Sequence, residues 1–347
     1  MKPGNIKSQH PGASRIGELV ASRFRVRRLV ASGGMANVFE AEDLRTRRLG
    51  ALKLLRDHCR LAPDAMERLA REASAATRIS GPHVVQAIAA GRLDNGEPYL
   101  FMELLEGLSL RELLERRGRL PVREALDIVE QAARGLCAAH AVGVLHRDIK
   151  PANLFLSGHE RHVKLLDFGV SKLSGQHALT REGLALGTFS YMPPEQMISA
   201  TRVDGRADLF SLGVVLYESI AGRLPYTASS VRTLMQRMEA NDYPPLHQVC
   251  PDVSPEIDSV LACTLRADPE ERFTNARALS EALLTLRERA APQRTRSAPP
   301  PSAAPEPARP AAPGASGARG PMSVASPGAR QPRVSLIETI VPETRRR

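Results

Sequence analysis

The amino-acid sequence predicts an α+β fold in two lobes, a lobe of strands followed by a lobe of helices. Short apolar runs bounded by Gly, Asp or Asn follow one another in the first part of the chain, as is typical of strands. After residue 109, apolar residues recur instead at the spacing of one helix face. A cleft between two such lobes is a natural ligand site.

The individual elements follow from the same patterns. Strands are predicted at residues 24–30, 38–41, 49–55, 84–89 and 99–104, and a helix over residues 63–79 interrupts them. A helix over residues 122–142 would place Leu126, Val129, Ala133 and Leu136 on one face. A further helix is predicted after Ser254, which suits an N-cap, with Pro255 at its first position.

Composition divides the 347 residues into three segments. Residues 1–22 are polar and without periodicity, and we expect them to be disordered. Residues 23–289 form the one folded domain, with lobes at about residues 23–104 and 105–287. Residues 290–347 hold 12 of the 27 prolines. This tail buries too little apolar surface to offset chain entropy, so it is also predicted to be disordered.

The composition predicts a soluble, cytoplasmic protein. The four cysteines show neither CxxC pairs nor metal spacing, as expected of reduced thiols. The N-terminus has no apolar core of a secretory signal. The most apolar stretch, residues 209–217, ends at Glu218 and is far shorter than the roughly 20 residues of a membrane span.

The net charge of +10 does not by itself indicate nucleic-acid binding. Nine Arg and only three Glu lie from Ala291 onward, so more than half of the excess belongs to the tail. A basic tail is usually a solvated arm. It lacks interleaved aromatic residues, and no specific nucleic-acid partner is predicted.

A glycine-containing turn between the first two predicted strands could cradle phosphates. It comprises Val30, Ala31, Ser32, Gly33, Gly34, Met35, Ala36, Asn37 and Val38. A tight glycine hairpin lets backbone N–H groups approach phosphate oxygens that side chains would otherwise obstruct. Taken alone, two glycines between strands are more often only a turn.

Lys53 stands alone in the apolar strand that follows, and Glu72 on the predicted helix 63–79 could pair with it. Each residue also has a simpler interpretation. Lys53 could be an edge or snorkelling lysine, and Glu72 could belong to a solvated helix face beside Arg68 and Arg71.

An eight-residue tract, H-R-D-I-K-P-A-N at residues 146–153, places an acid, a cation and an amide close together. Asp148 can accept a hydroxyl proton, Lys150 can neutralise a transferring phosphoryl group, and Asn153 can offer an oxygen to a metal. A short strand then leads to the D-F-G that begins at Asp167, which suits a magnesium ligand beside phosphates. Either tract alone could be a charged turn, but together they indicate phosphoryl transfer.

These motifs resemble those of the eukaryotic-like (Hanks-type) serine/threonine protein kinases, particularly the bacterial branch, over about residues 23–287. The resemblance implies a two-lobed protein-kinase-like fold, with a small antiparallel sheet and one helix in the N-lobe and a mainly helical C-lobe. It implies transfer of the γ-phosphoryl group of ATP, with Mg²⁺, to Ser or Thr hydroxyls of protein substrates. Lys150 and Thr188 favour Ser/Thr over Tyr substrates.

The same resemblance assigns the site residues. Lys53 would hold the α- and β-phosphates and pair with Glu72. Asp148 would be the catalytic base, and Asn153 and Asp167 would bind magnesium. A hinge from Glu103 to Leu105, after the gatekeeper Met102, would hydrogen-bond adenine, and the residues that enclose the ring would be Val30, Val38, Ala51 and Phe155.

In the second lobe the resemblance implies a substrate-binding loop at residues 187–195. Glu195 would pair with Arg272, and Asp208 would brace the catalytic loop. Thr180 would be an autophosphorylated switch. In the tail, residues 334–341 form an apolar stretch that is a candidate for partner docking.

The sequence departs from the family pattern in three places. Ala31 and Ala36 replace the first and third glycines of G-x-G-x-x-G, residues 193–195 read P-P-E in place of A-P-E, and residues 81–83 replace a more usual His-Pro pair. The altered glycine loop supports one alternative, a pseudokinase scaffold, which the retained catalytic and metal residues disfavour. The peptide-binding loop at residues 187–195 disfavours a small-molecule kinase.

Overall fold

A six-stranded antiparallel sheet and one helix form the first lobe. The computed structural model describes residues 15–158, 161–168, 189–199, 203–251 and 253–290, all within the first of two units, Met1–Gln293 and Arg294–Arg347. The strands are β1 (Leu19–Val20), β2 (Phe24–Ser32), β3 (Ala36–Asp43), β4 (Arg48–Leu55), β5 (Ala87–Arg92) and β6 (Pro98–Met102), in the order β1-β2-β3-β4-β6-β5. Helix α1 (Pro63–Arg78) lies between β4 and β5 in the chain and packs on β5 and β6.

Alternating burial explains why these segments form a sheet. In β2, Phe24 and Val26 are buried while Arg25 and Arg27 are exposed. The buried face joins its neighbours in one cluster: Val20, Phe24, Val26, Phe39, Ala41, Leu52, Leu54 and Phe101. Gly50 is required at a close approach, because a Cβ there would lie 2.3 Å from the Phe101 ring. This packing fixes β4, and with it Lys53, against β6.

The folded domain begins earlier than the predicted boundary at residue 23. Strand β1 pairs with the start of β2, and Arg15 is buried with its Nη1 atom 3.0 Å from Glu97 Oε1. The prediction of disorder for residues 1–22 is therefore wrong for residues 15–22. A two-residue strand and one long-range ion pair leave no periodic pattern in the sequence.

The strand predicted at residues 84–89 lies instead at Ala87–Arg92. Residues 83–85 pair with the second lobe: Val85 N donates to Leu165 O at 3.0 Å, and Leu165 N donates to His83 O at 2.9 Å. The apolar run was correctly identified as extended, but its first residues belong to another set of backbone hydrogen bonds. Residues 103 and 104, predicted as strand, lie in the segment that links the two lobes.

The second lobe is mainly helical. A small sheet of β7 (Gly107–Ser109), β8 (Leu154–Ser157) and β9 (His162–Leu165) faces the first lobe. The helices are α2 (Leu110–Arg117), α3 (Val122–Ala141), α4 (Pro194–Ile198), α5 (Arg206–Ala221), α6 (Val231–Glu239), α7 (Leu246–Val249), α8 (Pro255–Thr264) and α9 (Ala276–Arg289). As predicted, Ser254 is the N-cap residue of α8 and Pro255 its first residue, although the Ser254 side chain makes no capping hydrogen bond.

Helix α5 is the centre of this lobe. Every residue from Ala207 to Ile220 is buried, as expected of a helix surrounded on all sides. Helix α3 packs against both α5 and α9 through the predicted face, and its members Leu126, Val129, Ala133 and Leu136 are all buried. The two helices provide a rigid base for the loop at residues 146–153.

Candidate active site

The glycine-containing turn joins β2 to β3 at the rim of the cleft. Gly33 N donates to Ala36 O at 2.9 Å, and a Cβ on Gly33 would lie 3.3 Å from that oxygen. Arg56, just after β4, holds the turn from the side: its Nη1 donates to Gly33 O at 3.1 Å, and its backbone N donates to Met35 O at 2.9 Å. Ala36 is buried, whereas Ala31 is exposed. No motif in the sequence indicated that Arg56 anchors this turn.

Lys53 connects the sheet, helix α1 and the second lobe. It lies in β4 opposite Val38 of β3. Its Nζ atom is 2.5 Å from Glu72 Oε1 and 2.8 Å from Asp167 Oδ1. Lys53 and Glu72 are buried, while the Asp167 side chain is 51% exposed to the cleft. The structure thus brings together three residues that are up to 114 positions apart in the sequence.

The charges of these three groups are strongly coupled. Burial raises the pKa of Glu72 to about 7, against the attraction of Lys53. Burial also opposes the charge on Lys53, but the Asp167 and Glu72 carboxylates outweigh it and raise the pKa of Lys53. Partial desolvation would raise the pKa of Asp167, yet the Lys53 ammonium lowers it below its usual value. Lys53 and Asp167 are therefore both charged at neutral pH.

The loop at residues 146–153 is held by the buried carboxylate of Asp208. That carboxylate accepts hydrogen bonds from His146 N at 2.9 Å, Arg147 N at 2.7 Å and His140 Nε2 at 2.8 Å. Burial would raise the pKa of Asp208, but the hydrogen bonds and charges of His140 and His146 together lower it below its usual value. Asp208 therefore braces the loop as predicted. No motif in the sequence indicated that His140 also contacts Asp208.

His146 links this loop to the segment that carries Asp167. Its Nε2 donates to Leu166 O at 2.8 Å, while its Nδ1 accepts from Asp148 N at 3.3 Å. Its ring packs on Phe168, with 4.7 Å between centroids. Burial lowers the pKa of His146, which agrees with a neutral ring that donates on one side and accepts on the other.

Asp148, Lys150 and Asn153 form a connected group at the floor of the cleft. Lys150 Nζ lies 2.9 Å from Asp148 Oδ2. Asn153 Nδ2 donates to Asp148 O at 2.8 Å and approaches Oδ2 at 3.3 Å. Leu166 N donates to Asn153 O at 2.9 Å, which places Asn153 beside the segment of Asp167. A carboxylate and an amide oxygen are hard ligands that suit magnesium.

A half-buried apolar patch, called the slot below, lies at the linker between the lobes. Val38, Leu104, Leu105 and Leu166 pack around the buried cluster of Ala51 and Met102. Phe155 lies in β8 on the opposite side of the cleft, and Val30 is exposed in β2.

The linker at this slot offers free backbone groups. Within the described parts of the chain, neither the Glu103 carbonyl nor the Leu105 N–H makes a hydrogen bond. One acceptor and one donor are thus available at the edge of an apolar slot.

The predicted pair between Glu195 and Arg272 is confirmed. Arg272 donates from Nη1 to Glu195 Oε1 at 2.7 Å and from Nη2 to Oε2 at 2.8 Å, and its guanidinium lies 4.9 Å from the centre of the Phe210 ring. Glu195 lies in the first turn of α4 and is the last residue of the predicted substrate loop. Gly169, Thr180, residues 187–188 and the tail lie outside the described residues.

Comparisons with known proteins agree with this geometry. The family described as protein kinase domain matches residues 24–284. The chain is 35% identical to serine/threonine-protein kinase PknA of Mycobacterium tuberculosis over 84% of its own length and 67% of that relative. It is 37% identical to PknA of Corynebacterium glutamicum over 80% of its length and 59% of the relative.

A solved kinase structure has a similar fold. The crystal structure of the Mycobacterium tuberculosis PknI kinase domain is similar, with a TM-score of 0.62 and 27% identity over 78% of this chain and 98% of that one. Across the parts of the chain that the structure describes, no helix combines the length and the apolar character needed to cross a membrane.

Proposed function

The chain belongs to the protein kinase family and is a serine/threonine protein kinase, and we propose that it transfers the γ-phosphoryl group of Mg-ATP through the cleft residues described above. One observation carries this proposal. Lys53 contacts both Glu72 and Asp167, within a cleft whose floor is the connected group of Asp148, Lys150 and Asn153. Charged groups that are already in place cost little reorganisation during the reaction.

The nucleotide would bind between the lobes. Adenine would enter the apolar slot, with its edge on the free carbonyl of Glu103 and the free N–H of Leu105. The ammonium of Lys53 would contact the α- and β-phosphates, and Glu72 would keep it in place. The N–H groups of the turn at residues 33–35 would cover the phosphates.

The ligand set fits magnesium held jointly by protein and phosphate. Within the described ranges, no group of three or more His, Cys, Asp and Glu side chains could hold a metal ion by itself. Asn153 and Asp167 would supply two oxygens, and the phosphates would supply others. Magnesium held there would neutralise charge on the transferring phosphoryl group.

The transfer itself would use Asp148 and Lys150. The carboxylate of Asp148 would accept the proton of the Ser or Thr hydroxyl. The hydroxyl oxygen would bond to the γ-phosphorus while the bond between that phosphorus and the oxygen of ADP breaks. Lys150, 2.9 Å from that carboxylate, would stabilise the negative charge on the phosphoryl oxygens. The pseudokinase alternative is disfavoured, because the chain retains each of these groups.

Purified protein incubated with labelled ATP, magnesium and a protein substrate tests this proposal. We expect Lys53→Met and Asp148→Asn each to lower phosphate transfer by about 10²–10⁴-fold, since a positioned charge or base is lost. Asp148→Asn should retain the melting temperature of the wild type to within a few degrees. Lys53→Met should lower the melting temperature, because the buried Glu72 carboxylate loses its counter-charge. Near-full activity of Asp148→Asn would contradict the mechanism.

A further inference from the structure

An ion pair at the linker between the lobes has no part in the proposed reaction. Lys164, in β9, places Nζ 2.7 Å from Glu103 Oε1 and 3.4 Å from Val84 O. The Lys164 side chain is 14% exposed and that of Glu103 is 30% exposed. Because both groups are partly removed from water, their attraction is stronger than that of a fully exposed pair.

The Glu103 carboxylate fixes the position of its own backbone. Its Oε1 atom accepts a hydrogen bond from Gln86 N at 2.7 Å, while Glu103 N donates to Gln86 O at 3.0 Å. Two bonds to one residue hold Glu103 against the segment before β5. Lys164 neutralises the carboxylate that makes one of these bonds, so its loss would favour movement of the carboxylate toward water.

Lys164 also lies beside Phe155, the residue that forms the floor of the slot. In the pairing of β8 with β9, its partner is Phe155, and directly opposite residues on neighbouring strands share a face of the sheet. The contact from Lys164 to Glu103 therefore ties the floor of the slot to its hydrogen-bonding edge. At the other end of the linker, Gly107 allows β7 to lie close to β8, because a Cβ there would lie 2.0 Å from Leu156 O.

The acceptor and the donor at the edge of the slot would discriminate between adenine and guanine. The Glu103 carbonyl accepts a hydrogen bond and the Leu105 N–H donates one, which matches the amine and ring nitrogen of adenine. Guanine has a carbonyl oxygen and a ring N–H at these positions, so both contacts would be mismatched. Such rejection requires that the edge cannot move to relieve the mismatch.

We propose that Lys164 is a positioning residue that sets the nucleobase selectivity of this chain, by holding Glu103 so that the linker edge accepts adenine and rejects guanine nucleotides. The inference depends on the proposed function, since it assumes that a purine nucleotide binds in the slot. Lys164 itself touches neither the base nor the phosphates in this assignment.

The test measures dissociation constants of Mg-ADP and Mg-GDP by calorimetry, and kcat/KM with ATP and GTP, for the full chain. Variants are Lys164→Met, Glu103→Gln, the double variant and Lys164→Arg. Arg161→Met is the matched control, because it breaks the ion pair with Glu124 just before the same strand. We expect the ADP-over-GDP preference to fall about fivefold in each neutral single variant, the size of one partly exposed ion pair.

Further outcomes separate selectivity from mere stability. The double variant should lose no more preference than the single variants, because both remove one interaction. Lys164→Arg should restore most of the preference, and Arg161→Met should leave it unchanged. An unchanged preference in both neutral variants, or equal weakening of the two nucleotides with a lower melting temperature, would overturn the inference. A wild type that binds ADP but transfers no phosphate would overturn the proposed function and leave this inference standing.

Discussion

The pair of Glu195 and Arg272 allows the contribution of a buried ion pair to be measured. The Arg272 side chain is 0% exposed and that of Glu195 is 22% exposed. Besides Glu195, the guanidinium donates to the backbone oxygens of Arg266, Ala267 and Arg206. Glu195→Gln removes the negative charge while keeping the shape and one oxygen acceptor. The positive charge of Arg272 then remains buried without a counter-charge.

The expected loss of stability follows from this burial. Removing one partner of a buried ion pair costs about 3–5 kcal/mol, because the other charge remains desolvated. Glutamine keeps one acceptor, so we expect the lower end, about 3 kcal/mol. For a domain of this size the melting temperature should fall by about 6–9 °C.

Thermal unfolding monitored by circular dichroism and urea titration would measure this loss. The matched control is Glu270→Gln, because Glu270 pairs with Arg206 at 2.7 Å but is 77% exposed. Exposed pairs contribute little, so the control should change the melting temperature by less than about 2 °C. A Glu195→Gln variant as stable as the wild type, or a control equally destabilised, would refute the reasoning from burial.

Two further changes test the coupled charges and the altered glycine loop. Because burial raises the pKa of Glu72 to about 7 from 4.5, the folded chain holds that proton more tightly than the unfolded chain. The resulting stability is present below about pH 4.5 and is lost as pH rises to about 7. Urea titrations from pH 5 to 8 should therefore show that the free energy of unfolding of the wild type falls relative to that of Glu72→Gln as the pH rises. A difference between the two proteins that does not change with pH would contradict the coupling. Ala36→Gly should lower the KM for ATP modestly, since backbone can approach phosphate more closely. It should also cost about 0.5–1 kcal/mol of stability, and an unchanged KM in both Ala36→Gly and Ala31→Gly would show the alanines to be neutral.

Much of the candidate site could be predicted because its chemistry is local in sequence. The spacing within residues 146–153 brings an acid, a cation and an amide into one loop, and the structure connects them by hydrogen bonds. The fold class followed from where strand and helix periodicities occur. Strand boundaries were less predictable. Residues 83–85 would be extended whether they paired with the first sheet or with β9, and only their hydrogen-bond partners show that they pair with β9.

The parts that escaped prediction depend on contacts between distant segments. Lys164 has no unusual sequence context, and its role depends on Glu103, 61 positions away. His140 lies near the end of a helix and contacts Asp208, 68 positions later. No spacing rule connects such pairs, since their approach is set by the packing of α3, α5 and the small sheet.

Strained backbone in the cleft is held in place by contacts between distant segments. Arg147 and Asp167 adopt φ values of +63° and +50°, which side-chain-bearing residues rarely adopt and which cost about 1–3 kcal/mol each. Asp208 accepts the Arg147 N–H, and Lys53 contacts the Asp167 carboxylate. Each strained residue is thus held by a charged group from a different element. The conformation that places Asp148 beside Asn153 is therefore stabilised by contacts with the folded lobe as well as by the hydrogen bonds within the loop.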